Sequence, residues 1–450
     1  MQKKFLFISA NQLKVPYPVY PLGLSYLYSY LTKKLPSFNF KLIDLNISNI
    51  EAVLAYISEN NPEYIGISLR NIDNQDYQNS KYFIVAYKSL IDKIKEISKA
   101  KIIIGGAGFS IFPITIFKAL EPDFAIKGEG EESLHQLIIC LENKLDYSHI
   151  EGLIFLKNGE PIINERKNYL NNLDLSFDDC LVDYYWENSG MLNIQTKRGC
   201  PYHCIYCSYP IIEGRKVRTL NADKIVETLI RLKTEKKINY VFFTDSVFNI
   251  SNEYNYELAT KMIQSNLNIK WGAYFSPHNL TEELLVLFKK AGLKHIEFGT
   301  EALSDVQLKN YGKSFTVDEV VRISEICNRI GIYFAHFLIL AGYGETEETL
   351  NETFVNSKRI NSTVFFPYIG MRVYPGTKLF ELAVNLDKIK SIDTLIEPYY
   401  FISDAVNTNT IKERAIQTAQ KWIFPDDDSS QILEVMLRKK KKGLLWHLIR

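Results

Sequence analysis

From Lys4 to Glu142, short apolar runs alternate with stretches of helical period, and this alternation limits the fold more than any other feature of the chain. Lys4 to Ser9, Phe40 to Asn46, Tyr64 to Arg70, Lys101 to Ile104 and Asp123 to Lys127 read as strands. Leu22 to Leu35, Glu51 to Asn60, Lys81 to Lys99, Thr115 to Leu120 and Glu132 to Glu142 read as helices. Strands separated by helices pair in parallel through crossovers that cover both faces of a sheet. Residues 1–148 are therefore predicted to form an α/β domain built on a doubly wound parallel sheet. Such sheets bind ligands at the carboxyl ends of their strands.

Residues 149–190 read as a connecting segment. GLIFLKNGEPIIN, with Asn158-Gly159 at its turn, predicts a hairpin there. The polar, Asp-rich stretch from Asn168 to Asp183 reads as linker. A second alternating series begins near Leu192. Strands are expected at Leu192 to Thr196, Tyr240 to Thr244, Lys270 to Phe275, His295 to Gly299, Tyr333 to Leu340 and Val364 to Val373. Helices fit at Ala222 to Lys236, Tyr256 to Asn266, Thr281 to Ala291, Ser304 to Asn310, Val317 to Ile330 and Glu345 to Arg359. Six strand–helix units predict a partial (β/α)6 barrel over residues 191–378, with its site at the carboxyl ends of the strands. Residues 379–450 are expected to form a small, mostly helical C-terminal region, from Ile411 to Trp422 and from Ser430 to Lys442.

The formal net charge of +1 gives no global field that would favour nucleic acid. No apolar run approaches the ~20 residues of a membrane span, and Phe5 to Ile8 is too short for a signal-peptide core. A cytoplasmic protein is expected. The ending RKKKKGLLWHLIR reads as a solvated charge run before a packed terminus, with contact to an anionic membrane surface as the weaker reading.

Three of the six cysteines crowd into KRGCPYHCIYCSYP, Lys197 to Pro210, directly after an expected strand. Cys200, Cys204 and Cys207 have the spacing of ligands to an iron–sulfur cluster. Three thiolates for a four-iron cluster leave one iron open to a small molecule. Zinc, with His203 as a fourth ligand, is the competing reading, although zinc sites favour a second cysteine hook and none is present. Cys140 and Cys327 lie in helical patterns and read as buried hydrophobes, and Cys180 has no assigned role.

The Cys-x3-Cys-x-aromatic-Cys run of Cys200, Cys204, Tyr206 and Cys207, followed by a barrel, resembles the radical S-adenosylmethionine superfamily. The resemblance implies a [4Fe–4S] cluster on the three cysteines, S-adenosylmethionine chelated to its open iron, and Tyr206 near the adenine. FFTDSVFN supplies Asp245 and Ser246 where the family holds the methionine amino group, without the usual Gly-Gly-Glu. Glu301, in IEFGTEALSD, resembles the carboxylate that contacts the ribose or methionine part. LILAGYGETEET resembles the fifth-strand turn, with Tyr343 in place of proline, and Gly342 and Gly344 would let backbone approach the nucleoside. MRVYPGTKLF resembles the sixth-strand stretch.

The N-terminal domain resembles the Rossmann-like cobalamin domain that precedes the barrel in one branch of that superfamily. The matching pieces are Pro21 and Gly23, then Gly105, Gly106 and Gly108, then Gly128, Gly130 and Glu131. No histidine precedes His135, so a histidine-off mode is implied, with Ser68 and Arg70 nearest the lower face of the cofactor. Arg70 is either turned to that face or simply paired with Asp73 or Asp76. The resemblance implies methyl transfer from S-adenosylmethionine, via methylcobalamin, to an unactivated carbon or a phosphinate of a small molecule or peptide. It also implies a flavodoxin- or ferredoxin-type electron donor. Ring closure or rearrangement, tryptophan-type aromatic C-methylation and a non-catalytic cobalamin-responsive regulator are the alternatives. Tyr274, Ser276, His278, His336, Tyr368 and Arg372 fall at or near strand ends and are candidates to face substrate, with the two histidines read first as structural.

Overall fold

The computed structural model describes residues 2–14, 17–170, 177, 179–427 and 439–449. In the first domain β1 (Lys3–Ser9), β2 (Phe38–Asp44), β3 (Tyr64–Ser68), β4 (Lys101–Gly105) and β5 (Phe124–Ile126) pair in parallel in the order β2-β1-β3-β4-β5. The order reverses between β1 and β3, which opens a crevice at their carboxyl ends. The expected hairpin, β6 (Leu153–Lys157) and β7 (Glu160–Ile163), does not stand apart in a linker. It pairs antiparallel with β5 and completes a seven-stranded sheet. Central strands such as β1 are covered on both faces, and Leu6 and Ile8 are fully buried.

Part of the stretch read as an Asp-rich linker is instead a helix, Asp179–Ser189. Leu181, Val182 and Tyr185 lie on one face of it and are buried. Tyr185 donates to the Asp44 carboxylate at 2.7 Å, which ties this helix to the end of β2. A few apolar residues among acids concealed the helical period.

The second sheet has six parallel strands: β8 (Leu192–Ile194), then β11 (Tyr240–Phe243), β12 (Lys270–Phe275), β13 (Leu293–Glu301), β14 (Tyr333–Leu340) and β15 (Val364–Ile369). Between β8 and β11 the short β9 (Lys197–Arg198) and β10 (Arg218–Thr219) pair antiparallel and frame the cysteine loop. The strand expected from Val364 to Val373 breaks at Gly370, where φ is +75°; β16 (Met371–Arg372) then pairs with β17 (Tyr400–Phe401). The sheet curls without closing, since β8 and β15 are not hydrogen-bonded to each other. Helices cover its outer face.

The C-terminal helix expected from Ile411 is shorter, Ile411–Gln417, and the one expected from Ser430 falls largely outside the described residues. Lys439 to Lys441 are exposed, while Leu444, Leu445 and Trp446 are buried against the amino-terminal end of the barrel. The apolar part of the basic ending is thus spent inside the protein. Among the described residues no helix is long and apolar enough to cross a membrane.

Candidate active site

The cysteine loop starts from a turn that Asp245 holds shut. This carboxylate, at the end of β11, is fully buried. It accepts from the backbone N–H of Thr196 at 2.6 Å and of Lys197 at 3.1 Å, from the Thr196 hydroxyl, and from Lys197 Nζ at 2.7 Å. Four donors fill its lone pairs. Asp245, expected to hold a methionine amino group, is therefore a scaffold for the strand that leads into the cysteines. Gly199 follows with φ of +88°, and a Cβ there would lie 2.2 Å from the Lys216 carbonyl oxygen. Only glycine allows the two ends of the loop to lie so close.

Cys200 is buried and Cys204 and Cys207 half-buried. Burial, reinforced by the neighbouring thiols, pushes Cys207 up to about 12 and raises Cys200 as well. Ser246 hydrogen-bonds Cys200 and opposes that rise. Thiols crowded together and partly withdrawn from water form a site that positive charge would ionise, as iron does. Among the described residues no three His, Cys, Asp or Glu side chains converge on one metal ion.

Tyr206, in the loop, donates to Glu301 Oε1 at 2.8 Å. Glu301 follows a β-bulge in β13 and has φ of +69°. A bulge with left-handed backbone re-aims a side chain and is commonest at functional sites. Lys313 Nζ reaches the same oxygen at 3.2 Å and lies 5.6 Å from the Tyr206 ring centre. Burial works against its charge, but Glu301 and the Cys204 and Cys207 thiols outweigh burial and raise its pKa. Tyr311 and Gly312 brace the loop from the same segment: Ile205 N–H donates to the Tyr311 carbonyl at 3.2 Å, and a Cβ at Gly312 would lie 2.6 Å from that of His203. Spacing carried no sign of Tyr311, Gly312 or Lys313, because their contacts cross about a hundred residues of chain.

The turn glycines behave differently from expectation. A Cβ at Gly342 would meet the Tyr311 hydroxyl at 2.2 Å, and one at Gly344 the Asn310 amide at 2.7 Å. These two glycines are required by packing within the protein.

Above the cysteine loop, the crevice of the first sheet opens into a cleft of about 2020 Å³, counting its mouth. Pro21, Gly23, Ser68, Arg70, Gly105, Gly106, Gly108, Gly128, Gly130 and Glu131 all line it. So do Asn193, Gln195, Arg198, Tyr209 and Thr244 of the second domain. The cleft thus runs from one domain into the mouth of the other. A Cβ at Gly23 would meet nothing within 4 Å, so that residue borders open space. At Gly106 and Gly108 a Cβ would strike the Leu69 and Arg70 carbonyls at 2.7 and 2.9 Å, so these two glycines let the loops close on each other. Arg70 is exposed in the cleft and donates to Asn71 Oδ1 at 3.0 Å. It is not paired with Asp73, whose partner is the buried Arg372 at 2.9 Å. Among the described residues no histidine lines the cleft.

A buried ion cluster locks cleft to loop. Arg198, two residues before Cys200, pairs with Glu129 at 3.1 Å and with Glu131 at 3.0 Å, and Arg218 bonds Glu129 at 2.5 Å. Burial opposes the charge of Glu129, but the two arginines hold its pKa below the usual carboxylate value. Of the residues expected to face substrate, Tyr274 and Tyr368 are on the inner face of the barrel. His336 is not: it is buried between Thr300 and Ser324, and burial holds it neutral with a pKa of about 3. Arg372 is a domain tie, and Ser276 and His278 lie in a loop clasped by Asn249.

Residues 194–355 match the model of the radical SAM superfamily, and residues 8–138 match that of the B12 binding domain. The chain is 24% identical over 406 residues to an uncharacterized methyltransferase of Pyrococcus horikoshii, covering 86% of this chain and 85% of that protein. It is 22% identical over 457 residues to the tryptophan 2-C-methyltransferase of Streptomyces laurentii, covering 86% and 75%. Its fold matches that of the radical S-adenosylmethionine methyltransferase TsrM from Kitasatospora setae, solved with cobalamin and a [4Fe–4S] cluster bound. The TM-score is 0.89 at 19% identity, covering 99% of this chain and 97% of that one.

Proposed function

The chain belongs to the radical SAM superfamily, with a B12 binding domain ahead of its barrel, and from that premise we propose that it is a methyltransferase acting on an unactivated carbon of a small molecule. One observation carries the reading: the glycine-lined cleft of the first domain is also lined by Arg198, Ser208 and Tyr209, which flank the three-cysteine loop of the second. The reaction uses a [4Fe–4S] cluster, S-adenosylmethionine and cobalamin. When bound, the cluster supplies electrons to S-adenosylmethionine and cobalamin carries the methyl group.

The chain's own residues bind, orient and exclude water. Cys200, Cys204 and Cys207 hold the cluster, and the Lys313 ammonium lowers the cost of the negative charge gathered beside Cys204 and Cys207. Glu301, fixed by Tyr206 and Lys313 through one oxygen, keeps the other for a hydroxyl or ammonium group of S-adenosylmethionine. Pro21, Gly23, Gly105, Gly128 and Gly130 present backbone to cobalamin. Ser68 and Arg70, which line the same cleft, would also face the cofactor, and an arginine is no metal ligand. The buried Arg198–Glu129–Glu131 cluster ties the strand that leads into the cysteine loop to the wall of the cleft.

The test is anaerobic reconstitution with iron, sulfide and hydroxocobalamin, followed by assay with S-adenosylmethionine and a reductant. Wild type is expected to show both cofactors' absorption bands and to methylate cobalamin. The triple variant C200A/C204A/C207A should keep cobalamin and lose all iron. Zinc in place of iron in the anaerobically purified protein would refute the reading. With a substrate in hand, a mass gain of one CH2 unit supports methyl transfer, and loss of two hydrogens would indicate ring closure.

A further inference from the structure

Along the barrel strands, outward side chains are sealed while several inward ones are not. In β12, Ala273 and Phe275 are 0% and 1% exposed, but Tyr274 between them is 39% exposed. In β15, Phe366 and Tyr368 are half-buried beside fully buried neighbours. Tyr274 lies directly across from Glu297 on the neighbouring strand, and its ring meets that of Phe242 edge-on with centroids 4.9 Å apart. The chamber they line is the inside of the barrel: strand register puts Tyr274 and Glu297 on the same sheet face as Asn193, which also lines the cleft.

At the bottom of the chamber is Glu297, 5% exposed. Its Oε1 accepts from Trp446 Nε1 at 3.1 Å, and this is its one hydrogen bond among the described residues. The other oxygen is not sealed inside protein either. The hydroxyls of Tyr17, Tyr274 and Tyr368 are likewise without a hydrogen-bond partner among the described residues, and all three tyrosines feel the charge of Glu297. None of these four groups is sealed inside protein, so a carboxylate oxygen and three hydroxyls stand open to a ligand inside the barrel.

We infer that Glu297 is a specificity-determining residue, and that the substrate presents a protonated amine to it from a planar or apolar body held by Tyr274, Phe366 and Tyr368. A carboxylate among tyrosine rings suits an ammonium group twice over, through a charge-assisted hydrogen bond and through the ring faces. Burial lifts the Glu297 carboxyl to about 7, so an ammonium placed beside it gains an ionised partner and removes the cause of that rise. Arg70, at the cleft end of the same space, feels Tyr17 and Tyr274 and turns an ammonium toward the floor.

The inference rests on the methyltransferase reading, but its test does not depend on turnover. Anaerobic holoprotein is titrated by calorimetry with 2-phenylethylamine, 2-phenylethanol and 3-phenylpropionate, each in the presence of S-adenosylmethionine. The amine should bind about tenfold more tightly than the alcohol, and the acid least. In Glu297→Gln, which keeps an acceptor for Trp446, the amine should fall to the level of the alcohol. Cluster and cobalamin absorption and S-adenosylmethionine affinity should stay unchanged, and these three report on the methyltransferase reading separately. An amine that binds no better than its alcohol, or equally well to Glu297→Gln, overturns the inference.

Discussion

At the seam between the two domains, Arg198, Arg218, Glu129 and Glu131 are all buried and all paired. In the barrel chamber, one oxygen of Glu297 and three tyrosine hydroxyls have no hydrogen-bond partner among the described residues. Both regions remove charge or hydrogen-bonding capacity from water, which costs several kcal/mol per unpaired ion. The seam recovers that cost within the fold, so its residues fix a distance. The chamber leaves the cost to be recovered by something bound, so its residues select a partner.

The largest expected effect follows from breaking the seam. Replacing Arg198 with Met leaves Glu131 without its arginine and Glu129 with one of two. The loss should be about 3–5 kcal/mol, read as a fall in thermal unfolding midpoint, with poorer retention of both cofactors. Glu297→Gln in the chamber should stay within about 1 kcal/mol of wild type near pH 5, where the carboxyl is protonated and the amide, like it, accepts from Trp446. Equal destabilisation by the two variants would erase the distinction between seam and chamber.

A second contrast lies within the cleft itself. Gly106 has φ of +104° and no room for a Cβ, whereas Gly23 faces open space. Gly106→Ala should cost about 3 kcal/mol in stability through strain and backbone overlap. Gly23→Val should leave stability within about 1 kcal/mol and instead weaken hydroxocobalamin binding by tenfold or more, measured by equilibrium dialysis. If Gly23→Val binds cobalamin normally, the cofactor does not lie over that turn.

What could be read from the sequence follows the same division. The three cysteines and the cleft glycines were legible because ligand spacing and strand-end turns are local properties. The two alternating series gave both sheets for the same reason. Asp245 is visible in the sequence but its hydrogen bonding is not: nothing local shows that Thr196 and Lys197 fold back onto its four lone pairs. Lys313 and Glu297 leave no mark in residue spacing, since their partners lie up to 149 residues away. Glu297 did leave a trace. In HIEFGTE the period of two puts His295, Glu297, Gly299 and Glu301 on one face of a buried strand, and charges on a buried face need an explanation.

A pH slope separates the chamber from the seam most directly. Burial raises the Glu297 carboxyl from its ordinary 4.5 to about 7. A carboxyl with a raised folded pKa binds more protons in the folded chain than in the unfolded one between those two values. Its contribution to stability is therefore fully present below about pH 4.5 and is lost as pH rises through 7. Glu129 has the opposite sign, because its folded pKa is lowered: its contribution is present above its unfolded value and lost as pH falls. Wild type should lose about 2 kcal/mol relative to Glu297→Gln between pH 5 and pH 7. Glu345, also raised by burial, to about 8, slopes the same way in both proteins and cancels in the difference. Saturating 2-phenylethylamine should flatten the wild-type slope, since an ammonium beside Glu297 lowers its folded pKa, and should leave the variant's slope unchanged. A difference curve that is flat without the amine would place Glu297 in contact with a compensating charge, and the chamber would then be as fully paired as the seam.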